Sequence, residues 1–252
     1  RFVYANDVVV AGELPVEMNG FKSQQHRWAK GSVQTCIKML PRVWAARLPL
    51  LVKVEAAAHL TAYFICLLLV LFCALIQPAL VPVTSRETWY LWLIDFPVFL
   101  LSSIPFLLYY LVAQRQLNPG GWKKDLLLAP FMVALGVGVS INNARAVLEA
   151  VIGFQSGFIR TPKYGIEKKG QPWRRGRYSP LRSVLILIEA LFAGYFAYLV
   201  VHAAVTGCYP AVPFLLLFCL GFSYVTFQSV AHLLPALAWW KPAGVDEEAV
   251  AA

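Results

Sequence analysis

Residues 183–206 read SVLILIEALFAGYFAYLVVHAAVT, and residues 209–240 read YPAVPFLLLFCLGFSYVTFQSVAHLLPALAWW. The first run carries one Asp, Glu, Lys or Arg residue, Glu189, and the second carries none. A helix needs about 20 consecutive apolar residues to cross the hydrocarbon core of a bilayer. Both runs meet this length and only a short link separates them, so they predict a pair of membrane-spanning helices.

Three further apolar runs lie upstream. Ala56 to Pro82 and Trp89 to Ala113 are long enough to span, the second with one acid, Asp95. Leu126 to Ile141 has only 16 residues and then turns amphipathic. Ionisable residues inside a span suggest function by default, but Asp95 and Glu189 lie close enough to predicted helix ends to reach an interface instead.

The composition agrees with a membrane chain. Hydrophobic residues make up 59% of the 252 residues and charged residues 14%, against about 25% charged in ordinary globular proteins. The mean hydropathy is +0.62. This leaves too little polar surface for a free cytosolic enzyme, and it excludes a disordered chain and a disulfide-stapled secreted domain. We predict a multi-pass membrane protein.

Basic residues predict the orientation. The net charge is +9, and 19 of the 22 Lys and Arg lie in residues 1–53, 114–125 and 154–182. Such stretches normally face the cytoplasm and anionic lipid, so the excess predicts contact with the bilayer rather than with nucleic acid. The run at 126–153 would then enter and leave on one face as an interfacial or re-entrant helix, giving four crossings. Five crossings, with 154–182 outside, stay open as the alternative.

The N-terminal stretch predicts an amphipathic helix in the membrane interface. An apolar stripe recurs every three or four residues, and we expect it to face lipid; its members are Val33, Ile37, Leu40, Trp44 and Leu48. Extending the same helical period backward places Gln24, Arg27 and Trp28 together, away from that stripe.

This trio has the chemistry of a sugar-binding site. An indole offers a flat apolar face to a pyranose ring, a carboxamide donates to and accepts from hydroxyls, and a guanidinium binds phosphate in a bidentate manner. The alternative is that Trp28 belongs to an interfacial aromatic belt and that Arg27 reflects the positive-inside bias.

The sequence from Gln24 to Trp28, QQHRW, resembles the QxxRW motif of processive family-2 glycosyltransferases, which include cellulose, mannan, hyaluronan and chitin synthases. The flanking residues are most similar to the cellulose-synthase-like and glucomannan-synthase-like branch. Residues 158–163, FIRTPK, resemble the FxVTxK gating loop of cellulose synthases, with Arg160 in place of Val. The order of motifs and spans is also similar, up to about residue 237.

The resemblance implies roles for these residues. Gln24, Arg27 and Trp28 would hold the acceptor end of a growing β-glycan at the mouth of a membrane channel. A donor-binding gating loop would close over a nucleotide-sugar, either UDP-glucose or GDP-mannose; its residues are Phe158, Arg160, Thr161 and Lys163. The plain alternative is a loop that is basic only because it faces the cytoplasm.

The catalytic half of such an enzyme is not evident. The family's metal-binding DxD motif and its catalytic ED motif precede QxxRW, and the few acids before Gln24 lie in neither. We therefore expect a Mg or Mn ion and the general base to belong to an upstream part, with no metal ligand and no catalytic residue in this chain. Because the chain begins at Arg1 rather than Met, we expect a piece of a longer protein, inactive as a transferase alone.

These observations combine into one prediction. The fold is a mostly α-helical polytopic membrane bundle of about four spanning helices with interfacial helices, preceded by a short remnant of an α/β transferase domain. The protein is a hexosyltransferase part in the plasma (bacterial inner) membrane, with both ends cytoplasmic; a non-catalytic membrane module, either a transporter or an assembly subunit, is the alternative. The predicted segments are 1–53 (end of the transferase domain), 54–114 (transmembrane hairpin), 115–153 (loop and interfacial helix), 154–182 (gating-type loop), 183–240 (second hairpin) and 241–252 (disordered tail).

Overall fold

The computed structural model of the chain describes residues 8, 10, 12–80, 108–157 and 183–231. Every regular element within these ranges is helical, and no strand occurs among them. The predicted helical bundle is therefore confirmed. The described part of the N-terminal stretch contains no strand, and the remnant of an upstream α/β domain stays a prediction.

The helices follow one another with short links. In chain order they are α1 (Met18–Ala45), α2 (Leu50–Thr61), α3 (Phe64–Leu80), α4 (residues 108–117), α5 (Trp122–Leu126), α6 (Ala129–Val151), α7 (Ser183–Val205) and α8 (Val212–Ala231), with a 3-10 turn at Tyr209–Ala211.

Three helical stretches among the described residues are long and apolar enough to cross a membrane. They are Trp122–Val151, Val184–Val205 and Val212–Ala231, and the last two confirm the span-forming character predicted for 183–240. The first covers the run at 126–153 up to Val151. Its length and composition permit a crossing, so the interfacial placement and the five-crossing alternative both stay predictions.

The span predicted from Ala56 to Pro82 is not one straight helix. It begins earlier, at Leu50, and Leu50–Thr61 and Phe64–Ile76 meet at an angle of 56°; taken together they would make a fourth crossing. The Thr61 hydroxyl donates to the carbonyl oxygen of Ala57 over 2.8 Å. Such back-bonding often bends a helix, but the Thr35 hydroxyl makes the same bond to the carbonyl oxygen of Gly31 inside the unbroken α1, so it does not by itself explain the 56° break. Of the run at 89–113, only residues 108–113 are described, and Asp95 lies outside them.

The centre of the bundle is an aromatic stack between α7 and α8. Phe196 has no exposed surface. The centre of its ring lies 5.1 Å from that of Phe218 and 5.7 Å from that of Phe222, and the ring planes are inclined by 28° and 30°. α6 packs along α8, and α3 and α1 pack along α6. α6 is therefore the helix that joins the aromatic core to α1.

Glycine allows α6 and α8 to approach closely. A Cβ added to Gly138 would lie closer than 3.0 Å to the backbone oxygen of Gly221, whereas one added to Gly136 would meet nothing within 4 Å. Small residues at a helix interface let backbones come together. The sequence Gly136-Val137-Gly138 predicts a packing feature rather than a phosphate cradle; the packing role belongs to Gly138 alone.

Two details of α1, the predicted interfacial helix, differ from the prediction. α1 ends at Ala45, so Leu48 lies outside it, because the residue preceding Pro49 is biased away from helical geometry. Val33, expected to face lipid, is fully buried against Val147 and Ala150 of α6. The apolar stripe faces protein at its start, and only the later residues, such as Ile37 and Trp44, are exposed.

Candidate functional site

The predicted trio lies on the first half of α1. Gln24, Arg27 and Trp28 occupy positions i, i+3 and i+4 of a continuous helix, so they share one face. The Trp28 indole is 54% exposed, while Gln24 and Arg27 are half-buried. An amide, a guanidinium and an indole therefore lie side by side, as a carbohydrate site would require.

The opposite face of α1 carries three basic residues at four-residue spacing, Lys22, His26 and Lys30. We call them the basic ladder. Lys22 has no exposed surface and Lys30 is 6% exposed. Each of the three is paired with a carboxylate from a helix far away in the sequence. The sequence patterns assigned none of them a role.

The first rung of the ladder is a fully buried ion pair. The Lys22 ammonium lies 2.6 and 2.8 Å from the two carboxylate oxygens of Glu189 on α7, and it donates to the Ser229 hydroxyl of α8 over 3.3 Å. Both charged side chains have no solvent exposure. Glu189 is therefore enclosed by protein, where a basic residue from α1 compensates its charge, and its position relative to a membrane interface stays a prediction.

The second and third rungs share the carboxylate of Glu149 near the end of α6. Its Oε2 accepts from Lys30 Nζ at 3.1 Å and lies 3.2 Å from His26 Nε2, while its Oε1 accepts from Arg145 Nε at 2.8 Å. Glu149 is only 12% exposed. One acid thus holds three basic groups, and this cluster fixes α1 against α6.

The environment of His26 lowers its pKa. Burial is the largest cause; the charge of Glu149 opposes it, and the charges of Arg145 and Lys30 reinforce it. His26 is therefore neutral at neutral pH, with its Nε2 3.2 Å from Oε2 of Glu149.

Lys30 also holds the chain that leads into the predicted donor loop. Its ammonium donates to the Ser156 hydroxyl over 2.8 Å and lies 4.9 Å from the centre of the Phe154 ring. The predicted loop residues lie outside the described part of the chain; they are Phe158, Arg160, Thr161 and Lys163. The described chain nevertheless reaches Gly157 beside the helix that carries the trio.

Sequence reasoning missed the ladder for a physical reason. Lys22 and Glu189 are separated by 167 residues, and no helical periodicity links two residues on different helices. Two signals were nevertheless present: a lone acid in an otherwise apolar span needs a partner, and basic residues recurring at four-residue spacing form one helix face.

No cluster of three or more His, Cys, Asp or Glu that could hold a metal ion occurs among the residues that the structure describes. The divalent ion expected for an intact enzyme therefore finds no described ligand set here. No protein-family model matches this chain, and no solved structure resembles it closely enough to count as a match. The functional assignment consequently rests on the residues themselves and on their arrangement.

Proposed function

We propose that this chain is the acceptor-binding and translocation part of a processive inverting glycosyltransferase that makes a β-linked hexose polymer, a glucan or a mannan. Gln24, Arg27 and Trp28 would hold the terminal sugars of the glycan. The observation that carries the proposal is the side-by-side display of these three groups on the face of α1 opposite the basic ladder, with the indole more than half exposed.

The position of Trp28 argues against a lipid-anchoring role. Trp44 lies 16 residues further along the same helix and is 47% exposed. At 3.6 residues per turn the two indoles point about 160° apart around the helix. A helix lying in the interface turns one face to lipid, and Trp44 shares its face with the exposed Ile37. If that face meets lipid, Trp28 points away from it.

The contact between Lys30 and Ser156 supports a shared site for acceptor and donor. Only Gly157 separates Ser156 from the segment that begins at Phe158. In the proposed enzyme this segment closes over the nucleotide-sugar, and the guanidinium of Arg160 and the ammonium of Lys163 suit a diphosphate. A donor loop that starts beside α1 has the proximity that sugar transfer demands.

The remaining partners follow from this assignment. The donor is UDP-glucose or GDP-mannose, and the polymer leaves through the plasma (bacterial inner) membrane from a cytoplasmic active site. A Mg or Mn ion that stabilises the leaving diphosphate, and the base that deprotonates the acceptor hydroxyl, belong to an upstream part of the intact enzyme.

Replacing Trp28 tests the proposal. In the full-length protein, Trp28→Ala should reduce polymer formation from radiolabelled donor in membranes by about 10- to 100-fold, since losing one buried aromatic contact costs about 1.5–3 kcal/mol. Trp44→Ala is the matched control, because it removes a similarly exposed indole from the same helix. Polymer yield is normalised to the amount of inserted protein.

The two variants separate the proposed enzyme from its alternatives. Equal, small effects of Trp28→Ala and Trp44→Ala would indicate an aromatic belt and would end the acceptor assignment. No polymer from either donor with the intact wild-type protein would favour a non-catalytic transporter or assembly subunit. A thiol-reactive label on Lys168→Cys tests the orientation: reaction from the cytoplasmic side supports four crossings, and reaction from outside supports five.

A further inference from the structure

The fully buried pair of Lys22 and Glu189 connects α1 to the centre of the bundle. Ser229 of α8 completes the contact, and the backbone oxygen of Lys22 accepts from Asn142 Nδ2 of α6 over 2.8 Å. One residue of α1 therefore holds directional bonds to three other helices, α6, α7 and α8.

Stability does not account for this arrangement. Burying two charges costs desolvation free energy that their attraction only partly repays, and apolar replacements of similar volume are often neutral or more stable by about 1–4 kcal/mol. Unlike a hydrogen bond, an apolar contact does not favour one orientation of the helix. The apolar contacts of this face of α1, such as Val33 against Val147, would permit small rotations of the helix at little cost. The bond from Lys30 to Glu149 on the same face also has direction, but it joins α1 to α6 alone, whereas Lys22 joins it to three helices.

The bonds at Lys22 fix a rotation that matters for the opposite face. Gln24 follows Lys22 by two residues, which places it about 200° around the helix, and Arg27 and Trp28 flank that direction. A rotation that moved Lys22 away from Glu189 would swing the three side chains by the same angle. The orientation of the trio is thus coupled to the buried pair.

We propose that Lys22, Glu189 and Ser229 are positioning residues, a polar lock that sets the rotational register of α1 and thereby aims Gln24, Arg27 and Trp28 at the acceptor glycan. The lock stands on geometry alone, whereas its consequence for the glycan rests on the proposed function.

The test removes the lock without leaving a buried charge. Single changes such as Lys22→Met would leave an uncompensated carboxylate and would risk misfolding. The triple variant Lys22→Met, Glu189→Leu and Ser229→Ala avoids this and should insert and melt like the wild type. The double variant Lys22→Glu with Glu189→Lys reverses the pair and should restore the lock.

Register is read by thiol labelling in the full-length protein with its native cysteines replaced. Trp28→Cys probes a position that is 54% exposed, and Ala29→Cys probes one that is fully buried. With the lock intact, we expect the thiol introduced by Trp28→Cys to react faster than that introduced by Ala29→Cys by about tenfold or more. In the triple variant the ratio should fall to about threefold or less, because one register then no longer dominates.

Activity provides the second readout. In the triple variant the KM for an oligosaccharide acceptor should rise by about tenfold while the KM for the nucleotide-sugar stays unchanged, since only the acceptor face has turned. If the ratio of the two labelling rates were unchanged in the triple variant, the proposed lock would be refuted. Failure of the triple variant to fold would overturn it too, because the pair would then be an element of stability rather than of register.

The two proposals fail in distinguishable ways. Labelling needs no glycan, so a contrast that collapses in the triple variant supports the lock even if the wild-type protein makes no polymer. That outcome would remove the proposed function alone. Conversely, polymer synthesis by the wild-type protein together with an unchanged ratio of labelling rates in the triple variant would refute the proposed lock and leave the proposed function intact.

Discussion

Gly138→Ala places a methyl group where α6 and α8 nearly touch. The added Cβ would lie against the backbone oxygen of Gly221 and would also crowd the side chain of Val225. A backbone atom cannot rotate away, so the helices themselves must separate. Gly136→Ala, two residues earlier on the same helix, meets open space and serves as the matched control.

The magnitude follows from the difference between the two variants. Replacing glycine by alanine inside a helix stabilises it by about 0.5–1 kcal/mol, and this gain is common to both changes. Overpacking in a well-packed contact costs about 1–3 kcal/mol and applies to Gly138 alone. We therefore expect Gly138→Ala to be less stable than Gly136→Ala by about 1–3 kcal/mol, because the gain in helix propensity is the same in both variants and cancels in the comparison.

Unfolding in detergent micelles by titration with denaturing surfactant measures this difference. Gly221→Ala should cost a similar amount, because its Cβ would lie against the backbone of Ala134. The double variant should cost less than the sum of the two singles, since one separation of the helices accommodates both methyl groups. If Gly138→Ala proved as benign as Gly136→Ala, the close approach of α6 and α8 would be refuted.

Three further outcomes are expected. Lys30→Met should weaken the packing of α1 against α6 by about 1–3 kcal/mol, whereas Lys38→Met, at an exposed position, should change little. Hydrogen exchange of the α1 amides measures both effects, and equal protection in the two variants would contradict the role given to the Glu149 cluster. Because burial lowers the pKa of His26, the folded protein binds fewer protons at this residue than the unfolded protein does. The contribution of neutral His26 to the free energy of unfolding is therefore complete above its ordinary pKa of about 6.5 and is lost as the pH falls toward the lower pKa of the folded protein. His26→Gln should flatten this pH dependence in thermal melts recorded over a pH series. Phe196→Ala should cost about 3–5 kcal/mol in the same surfactant titration through the cavity it leaves, and exposed Tyr198→Ala much less.

The membrane helices were predictable because lipid leaves the backbone few options. Every polar backbone group within a bilayer must be satisfied inside its own segment, so a charge-free run of sufficient length implies a helix. This argument gives α7 almost to the residue and places α8 within the second run. It does not give the break between α2 and α3, because residues 56–76 form one apolar run without proline or glycine.

The site was predictable only on its exposed face. The periodicity of α1 groups Gln24, Arg27 and Trp28 correctly, because positions on one helix are related by the chain itself. The partners of the other face come from α6 and α7, and only tertiary packing brings their two acids to the basic ladder. For the same reason the apolar stripe was assigned to lipid at Val33, where α6 in fact covers it.

The polarity of the first half of α1 is the reverse of that of an interfacial helix. An interfacial helix turns its charges to water and its aromatic groups to lipid. Here the bundle encloses the basic ladder, and Trp28 remains outside. The enclosed lysines, Lys22 and Lys30, are paired with acids from other helices and orient α1 within the bundle, whereas Trp28 is more than half exposed. Fold and proposed function therefore lie on opposite faces of one helix, and a Trp28 variant should lose acceptor binding while its surfactant unfolding curve stays that of the wild type.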